Sequence, residues 1–179
     1  MRGCLLLITA ITLTLAAGCS PVDQEGTETP IQRDESPMKI TSPDFTDGQS
    51  IPSRFTCDGE DVNPKLEIKD VPKTAKSLAL VVDDPDAPMG TWTHWILVDI
   101  PANTKVIPQD SLIGRQIKNS FKREDWGGPC PPSGTHRYYF KLYALDTPEI
   151  SATDEKMARK EIEQHKVAEA TLLGVYKRI

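Results

Sequence analysis

At 179 residues, 38% hydrophobic and 26% charged, the chain is long enough for one domain with a sizeable core and too short for two full domains. A formal charge of −5 and a pI near 5.2 exclude a basic nucleic-acid surface, which needs a Lys/Arg excess on at least one face. Fifteen prolines and eleven glycines are more than a helical bundle would hold and suit many short strands joined by turns.

The chain opens with Arg2 and an uncharged apolar run from Cys4 to Ala17, the hydrophobic region of a signal peptide and short for a membrane span. It closes on Leu15-Ala16-Ala17-Gly18-Cys19. Small residues before a cysteine resemble the lipobox of bacterial lipoproteins, where a diacylglyceryl group is put on the thiol and cleavage leaves the cysteine first. Residues 1–18 are expected as signal peptide and Cys19 as the lipidation site; Ala16 stands where Leu is commonest, and plain export is the alternative. Residues 19–38 then form a flexible tether, since Ser20 to Met38 has three prolines, five acids, one Arg and little to bury. The tether carries −4, leaving about −2 for the domain over 39–179. The expected location is the cell envelope, on its periplasmic or extracellular face, with the membrane reached through the lipid anchor. Cys57 and Cys130 remain, and a pair in an exported protein suggests a disulfide. Two separate buried thiols are the alternative; a metal site is weaker, since neither has a C-x-x-C neighbour.

In chain order, Met38–Thr41 and Ile51–Thr56 are edge-like strand candidates interrupted by Pro43 and Pro52. Ser77–Val82 is a short apolar run with polar flanks, the pattern of a buried strand, stopped by Asp83-Asp84-Pro85-Asp86-Ala87-Pro88. His94–Ile100 predicts a second strand ended by Pro101, and Arg137–Leu145 a third, rich in aromatic residues. Ser151–Glu169 lacks Gly and Pro and predicts a helix capped by Ser151 or Thr153. A second helical segment is expected through Val167, Ala168, Ala170, Leu172 and Leu173 to Gly174, the pair packing on one edge of the sheets.

The unusual polar residues sit at strand ends, where a β scaffold can aim side chains into a shared cleft. Asp84 and Asp86 follow the first strand, Trp92 and His94 open the second, Trp126–Pro132 is a rigid turn, and His136 and Tyr138 open the third. Singly, each has an ordinary explanation: Asp-Pro-Asp caps turns, and a histidine opening a strand is more often hydrogen-bonded structure than a ligand. Their spacing alone assigns no reaction. No serine or cysteine nucleophile sits in a recognisable motif, and His165 reads as structural.

Asp84-Pro85-Asp86-Ala87-Pro88, Trp92-Thr93-His94, Gly127-Gly128-Pro129-Cys130-Pro131-Pro132-Ser133-Gly134 and His136-Arg137-Tyr138 occur in the order of the phosphatidylethanolamine-binding protein family, also called the Raf kinase inhibitor protein family, which the chain resembles. Phe55-Thr56-Cys57-Asp58-Gly59-Glu60-Asp61 is similar to its bacterial branch, and the likeness runs from about Lys39 to Tyr176. The resemblance implies an all-β fold, an antiparallel two-sheet β-sandwich with a small C-terminal helical segment. It also implies an anion pocket lined by Asp84, Pro88, His94, His136 and Tyr138, with Gly128 and Pro129 as another wall; Asp86 and Trp92 are candidates beside it. Phosphate, or a phosphoethanolamine-type head group, is the implied ligand. Two imidazoles, a phenol and glycine N–H groups would meet such oxygens, with Asp84 orienting or charging a histidine and Trp92 forming a wall. Tyr176 falls near a C-terminal Tyr that can gate the family's pocket, a loose carry-over. Asn63-Pro64-Lys65-Leu66-Glu67-Ile68 departs from the pattern, lacking a Trp and a Pro without touching a pocket residue. The expected function is binding without catalysis and without cofactor or metal. An inhibitor or regulator of an envelope protease or signalling protein is the alternative, and a hydrolase using His94, His136 and Asp84 comes third.

Overall fold

The structure is a computed structural model and describes residues 37–111 and 113–178; the signal peptide, Cys19 and nearly all of the tether lie outside the described residues. In chain order it contains β1 (Lys39–Thr41), β2 (Gln49–Ser50), a 3₁₀ turn (Ser53–Phe55), β3 (Leu66–Lys69), β4 (Ser77–Asp84), β5 (Trp92–Pro101), β6 (Val106–Ile107), β7 (Arg115–Gln116), β8 (Thr135–Leu145), α1 (Glu155–His165) and β9 (Lys166–Lys177). A six-stranded sheet runs β2-β9-β8-β4-β5-β7 and a three-stranded sheet runs β1-β3-β6. Pairing is antiparallel except between β2 and β9.

β4 lies at the centre because every one of its residues is buried, which fits a strand covered on both faces. One face carries Leu78, Leu80 and Val82, joined by Trp95, Leu97, Phe140 and Leu142, and packs on Ile40, Leu66, Ile68 and Ile107 from the smaller sheet. This is the interior of the sandwich. Ala79 and Val81, with Ile96, Val98 and Leu145, make the other face and pack beneath Ala158 and Ile162 of α1.

The helical forecast needs correction. Val167–Gly174 belongs to β9, which pairs with β8 from Lys166 to Lys177. Ala, Glu and Leu favour helix, but Ala168, Ala170, Leu172, Gly174 and Tyr176 alternate with more exposed residues, and pairing along β8 overrides propensity. The helix stops at His165, and Asp154 caps it by accepting from Met157 N–H at 2.9 Å. Ser151 is engaged elsewhere: its N–H and hydroxyl both donate to Glu161. Near the N-terminus, Ile51–Thr56 is no strand; Pro52 leads into the 3₁₀ turn and Ile51 N–H donates to Val175 O. Cys57 and Cys130 are disulfide-bonded.

Candidate functional site

The polar strand ends meet at one end of the six-stranded sheet, and a β-bulge sets their aim. Val82 pairs with Trp95 but Asp83 pairs with Thr93, so His94 is an extra residue in β5. Thr93 consequently faces α1, hydrogen-bonded to Asp83 and Glu155. His94 and Trp95 both face the sandwich interior, packed edge-on against the Tyr138 and Trp126 rings.

His94 is 3% exposed and its Nδ1 lies 2.6 Å from Gly127 O. A carbonyl only accepts, so Nδ1 carries the hydrogen of the neutral ring. Burial pushes the imidazole pKa below its usual value, outweighing the Gly127 carbonyl and the charges of Asp84 and Asp83. His136, also buried, places Nδ1 2.7 Å from Asp84 Oδ2, while Asp84 Oδ1 accepts Asp86 N–H at 2.8 Å. Asp84 therefore orients His136.

Tyr138 enters from β8 on the same face as His136, one step along the pleat. It is fully buried and its hydroxyl is without a hydrogen-bond partner among the described residues; the Cys130 N–H faces it without closing a bond. Burial, then the charges of Asp84 and Asp86, push the phenol pKa far upward, so the group stays an O–H donor.

The remaining wall is the Trp126–Pro132 turn. Gly128 N–H donates to Asp61 Oδ1 at 2.7 Å, and a Cβ at Gly128 would lie 2.6 Å from Phe55 O as well as striking Asp61, so only glycine fits. Cys57 N–H donates to Pro129 O, and Trp126 Nε1–H to Phe55 O. Phe121 stands edge-on to both His94 and Trp92, so Trp92 reaches the histidine through a ring that the sequence reading did not single out.

The structure thus brings together Asp84, His94, His136, Tyr138, Gly128 and Pro129, with Trp92 behind Phe121. Asp86 stands apart: both its oxygens take Arg137, whose guanidinium holds the Asp86 carboxyl down to about 2. Pro88 is exposed in the turn beyond it. Tyr176 pairs across from His136, but its hydroxyl donates to Asp58 at 2.9 Å. His165 makes an outer pair with Asp146 at the end of α1. Phe121, the Gly127 carbonyl and Asp61 were missed as site residues. Asp61 lies in a segment whose motif was visible, whereas nothing local in a sequence announces which carbonyl a histidine will find.

A cavity of about 240 Å³ lies elsewhere, behind Trp126, between Asp61, Asn63, Trp95, Asp110, Gln116 and Asp125. Among the described residues no group of three or more His, Cys, Asp or Glu side chains is placed to hold a metal ion, and no helix is long and apolar enough to cross a membrane.

Fold and site together define a two-sheet β protein with a buried His–Tyr–Asp cluster at its strand ends. Residues 41–177 match the model of the phosphatidylethanolamine-binding protein family, and the chain belongs to that family. A UPF0098 protein of Aquifex aeolicus is 42% identical over 154 residues, covering 79% of this chain and 89% of the relative. A UPF0098 protein of Pyrococcus horikoshii is 36% identical, covering 99% of this chain and 91% of the relative. Among solved structures, a phosphatidylethanolamine-binding protein homolog of Chlamydia trachomatis superposes with a TM-score of 0.76 at 34% identity, covering 80% of this chain and 99% of that one. YbcL of E. coli, described as a member of the mammalian PEBP family, gives 0.75 at 30% identity, covering 79% and 99%.

Proposed function

We propose that the protein binds a small oxyanion or phosphorylated head group at Asp84, His94, His136 and Tyr138 without transforming it, from a lipid anchor at Cys19 on the cell envelope. The observation that carries this reading is the unpartnered Tyr138 hydroxyl, fully buried beside His94 and facing the Cys130 N–H. A donor left without an acceptor in a protein interior costs about 1–3 kcal/mol, and an incoming oxygen removes that cost. The family description, phosphatidylethanolamine-binding protein, points to the same ligand chemistry.

Calorimetric titration of the full-length protein in detergent with phosphate and phosphoethanolamine tests the reading. Saturable binding is expected, weakened at least about tenfold by His136→Ala, which removes the imidazole held by Asp84. Absence of binding by both ligands would sink it. The anchor is checked separately, since Cys19→Ser should abolish incorporation of labelled palmitate.

A second reading, regulation of an envelope protein, is favoured by one feature. Phe121, 37% exposed and edge-on to Trp92, and Met89, 91% exposed in the turn between β4 and β5, offer a partner apolar contacts.

A further inference from the structure

We propose that Asn119 is the positioning residue of the site: it touches no ligand, but fixes the bulged His94 together with the loop that carries Phe121 and Gly127, and so sets the affinity for an oxyanion. The inference rests on the oxyanion reading above, in which His94 is a binding residue, and adds what holds that residue in place.

The bulge creates the need for such a residue. His94 has no counterpart on β4, so the ladder that aligns the rest of β5 does not fix it. On the other edge of β5, β7 pairs with Leu97 and Val98 and stops short of the bulge. His94 O is held instead from the loop after β7, accepting the Asn119 Nδ2–H at 2.9 Å and the Gly127 N–H at 3.2 Å. Beside it Thr93 exchanges bonds with Ser120, through Thr93 N–H to Ser120 Oγ and Ser120 N–H to Thr93 O. Loop groups thus stand where a neighbouring strand would otherwise align β5.

Asn119 is 2% exposed, and all its polar groups have partners. The amide donates to Asp125 O at 2.9 Å as well as to His94 O, and Oδ1 accepts the Arg123 N–H at 3.1 Å. In the backbone, Asn119 N–H donates to Arg123 O and Asn119 O accepts the Lys122 N–H. These bonds close residues 119–125 on themselves, around Lys122 with its φ of 65°, and tie the closed loop to β5 at His94 O. Two carbonyls and one N–H meet the side chain at once, which calls for two donors and an acceptor on one short planar group, the asparagine amide. An aspartate would set a carboxylate against two carbonyl oxygens, and a leucine would fill the space while leaving buried backbone groups short of partners.

This loop delivers two of the contacts that aim the His94 ring. Phe121 lies edge-on to it with centroids 5.4 Å apart, and Gly127 O accepts from Nδ1 at 2.6 Å, while Tyr138 of β8 supplies a third contact. Gly127 grips His94 twice, N–H on the carbonyl and C=O on the ring, and Asn119 shares that carbonyl. Loss of the Asn119 amide frees the segment from Phe121 to Gly127 to shift, and the ring turns with it. A binding constellation has to be held to about 0.5 Å, so removing this support weakens binding although no ligand contact is removed.

The test compares Asn119→Ala with Asn63→Ala in the full-length protein in detergent. Asn63 is a matched control: it is 4% exposed and its amide likewise donates to two carbonyls, Pro64 O and Pro108 O, away from His94. Both variants are titrated with inorganic phosphate by calorimetry, and heteronuclear NMR of histidine-labelled protein reads the tautomer of each ring, all below the melting temperature. Asn119→Ala should weaken phosphate binding at least about tenfold, and the His94 signal should lose its fixed Nδ1–H pattern. Asn63→Ala should lower the melting temperature yet keep affinity within about twofold of wild type, with the His94 pattern intact. Equal effects of the two variants on affinity, or an unchanged His94 pattern in Asn119→Ala, would overturn the proposal and leave Asn119 a residue of the fold alone. Asn119→Ser is read in the same way if Asn119→Ala does not fold, and failure of both to fold would overturn the proposal too. Absence of phosphate binding by the wild type would overturn the oxyanion reading, and the His94 tautomer would then decide by itself whether Asn119 positions the ring.

Discussion

A hydroxyl held without a partner in a protein interior weakens the fold by about 1–3 kcal/mol, and Tyr138 carries such a group beside the His94 ring. Phe has the same shape without the oxygen. Tyr138→Phe is therefore expected to leave the melting temperature unchanged or raise it, by up to about 1 kcal/mol of stability, while phosphate affinity falls about tenfold. Thermal unfolding and calorimetry on the same sample measure both. A clear drop in melting temperature would mean that the hydroxyl has a partner in the free protein, and the case for a ligand there would lose its support. Opposite signs in the two readouts distinguish a binding group from a packing group, since a core tyrosine that merely fills space loses stability and has no affinity to lose.

At the scale of elements, the bulge that turns His94 inward sends Thr93 to the other face, where it joins Asp83 of β4 in docking α1. Asp83 is 2% exposed in its side chain and accepts from Arg159 and from Lys141, while Arg159 also reaches Thr93 and Glu155. Burial alone would raise the Asp83 pKa, but Arg159 and then Lys141 outweigh it and hold the carboxyl below its usual value. Arg159→Met strips the buried carboxylate of its main partner. The expected loss is about 2 kcal/mol in urea unfolding near neutral pH, below the full cost of breaking a buried pair because a third of the arginine side chain is exposed. The sign with pH follows from a folded pKa below the unfolded one. The stabilisation is complete above the unfolded value of about 3.9 and is lost as pH falls through the lower folded value, so wild type and variant should converge in acid. A gap that widens below pH 4 would refute the assignment.

The elements also show what a sequence displays. β4, β5 and β8 were readable because Leu78–Val82, Trp95–Val98 and Tyr138–Leu145 are dense apolar or aromatic runs stopped by prolines or polar turns. Both histidines, Asp84 and Tyr138 could be picked out because they sit where those runs begin or end. β9 was misread because Ala168, Glu169, Ala170 and Leu172 favour helix, and the partner that makes them a strand, β8, lies about thirty residues away. The two-residue strands β2, β6 and β7 have no periodicity to detect. The Gly127 carbonyl and the Phe121 ring depend on how a loop returns to β5, which no local pattern encodes.

Across the whole molecule, the disulfide joins the segment after the 3₁₀ turn to the wall of the site, bridging 73 positions of sequence. Two roles are open to it, and they differ in what its removal does. Closing a loop of that length restricts the unfolded chain and stabilises the fold by about 4 kcal/mol on the chain-entropy model. Locally, three hydrogen bonds hold the same wall without it: Gly128 N–H to Asp61, Cys57 N–H to Pro129 O and Trp126 Nε1–H to Phe55 O. At about 1 kcal/mol each they keep the turn near its place in the folded protein. The paired variant Cys57→Ser/Cys130→Ser should therefore lose about 4 kcal/mol in urea unfolding, while the folded protein keeps phosphate affinity within about tenfold of wild type. The reverse pattern, affinity lost with little change in stability, would assign the bond to positioning the Cys130 N–H against Tyr138. A drop in both well beyond these values would mean that the hydrogen bonds of the wall depend on the covalent link and do not hold it independently.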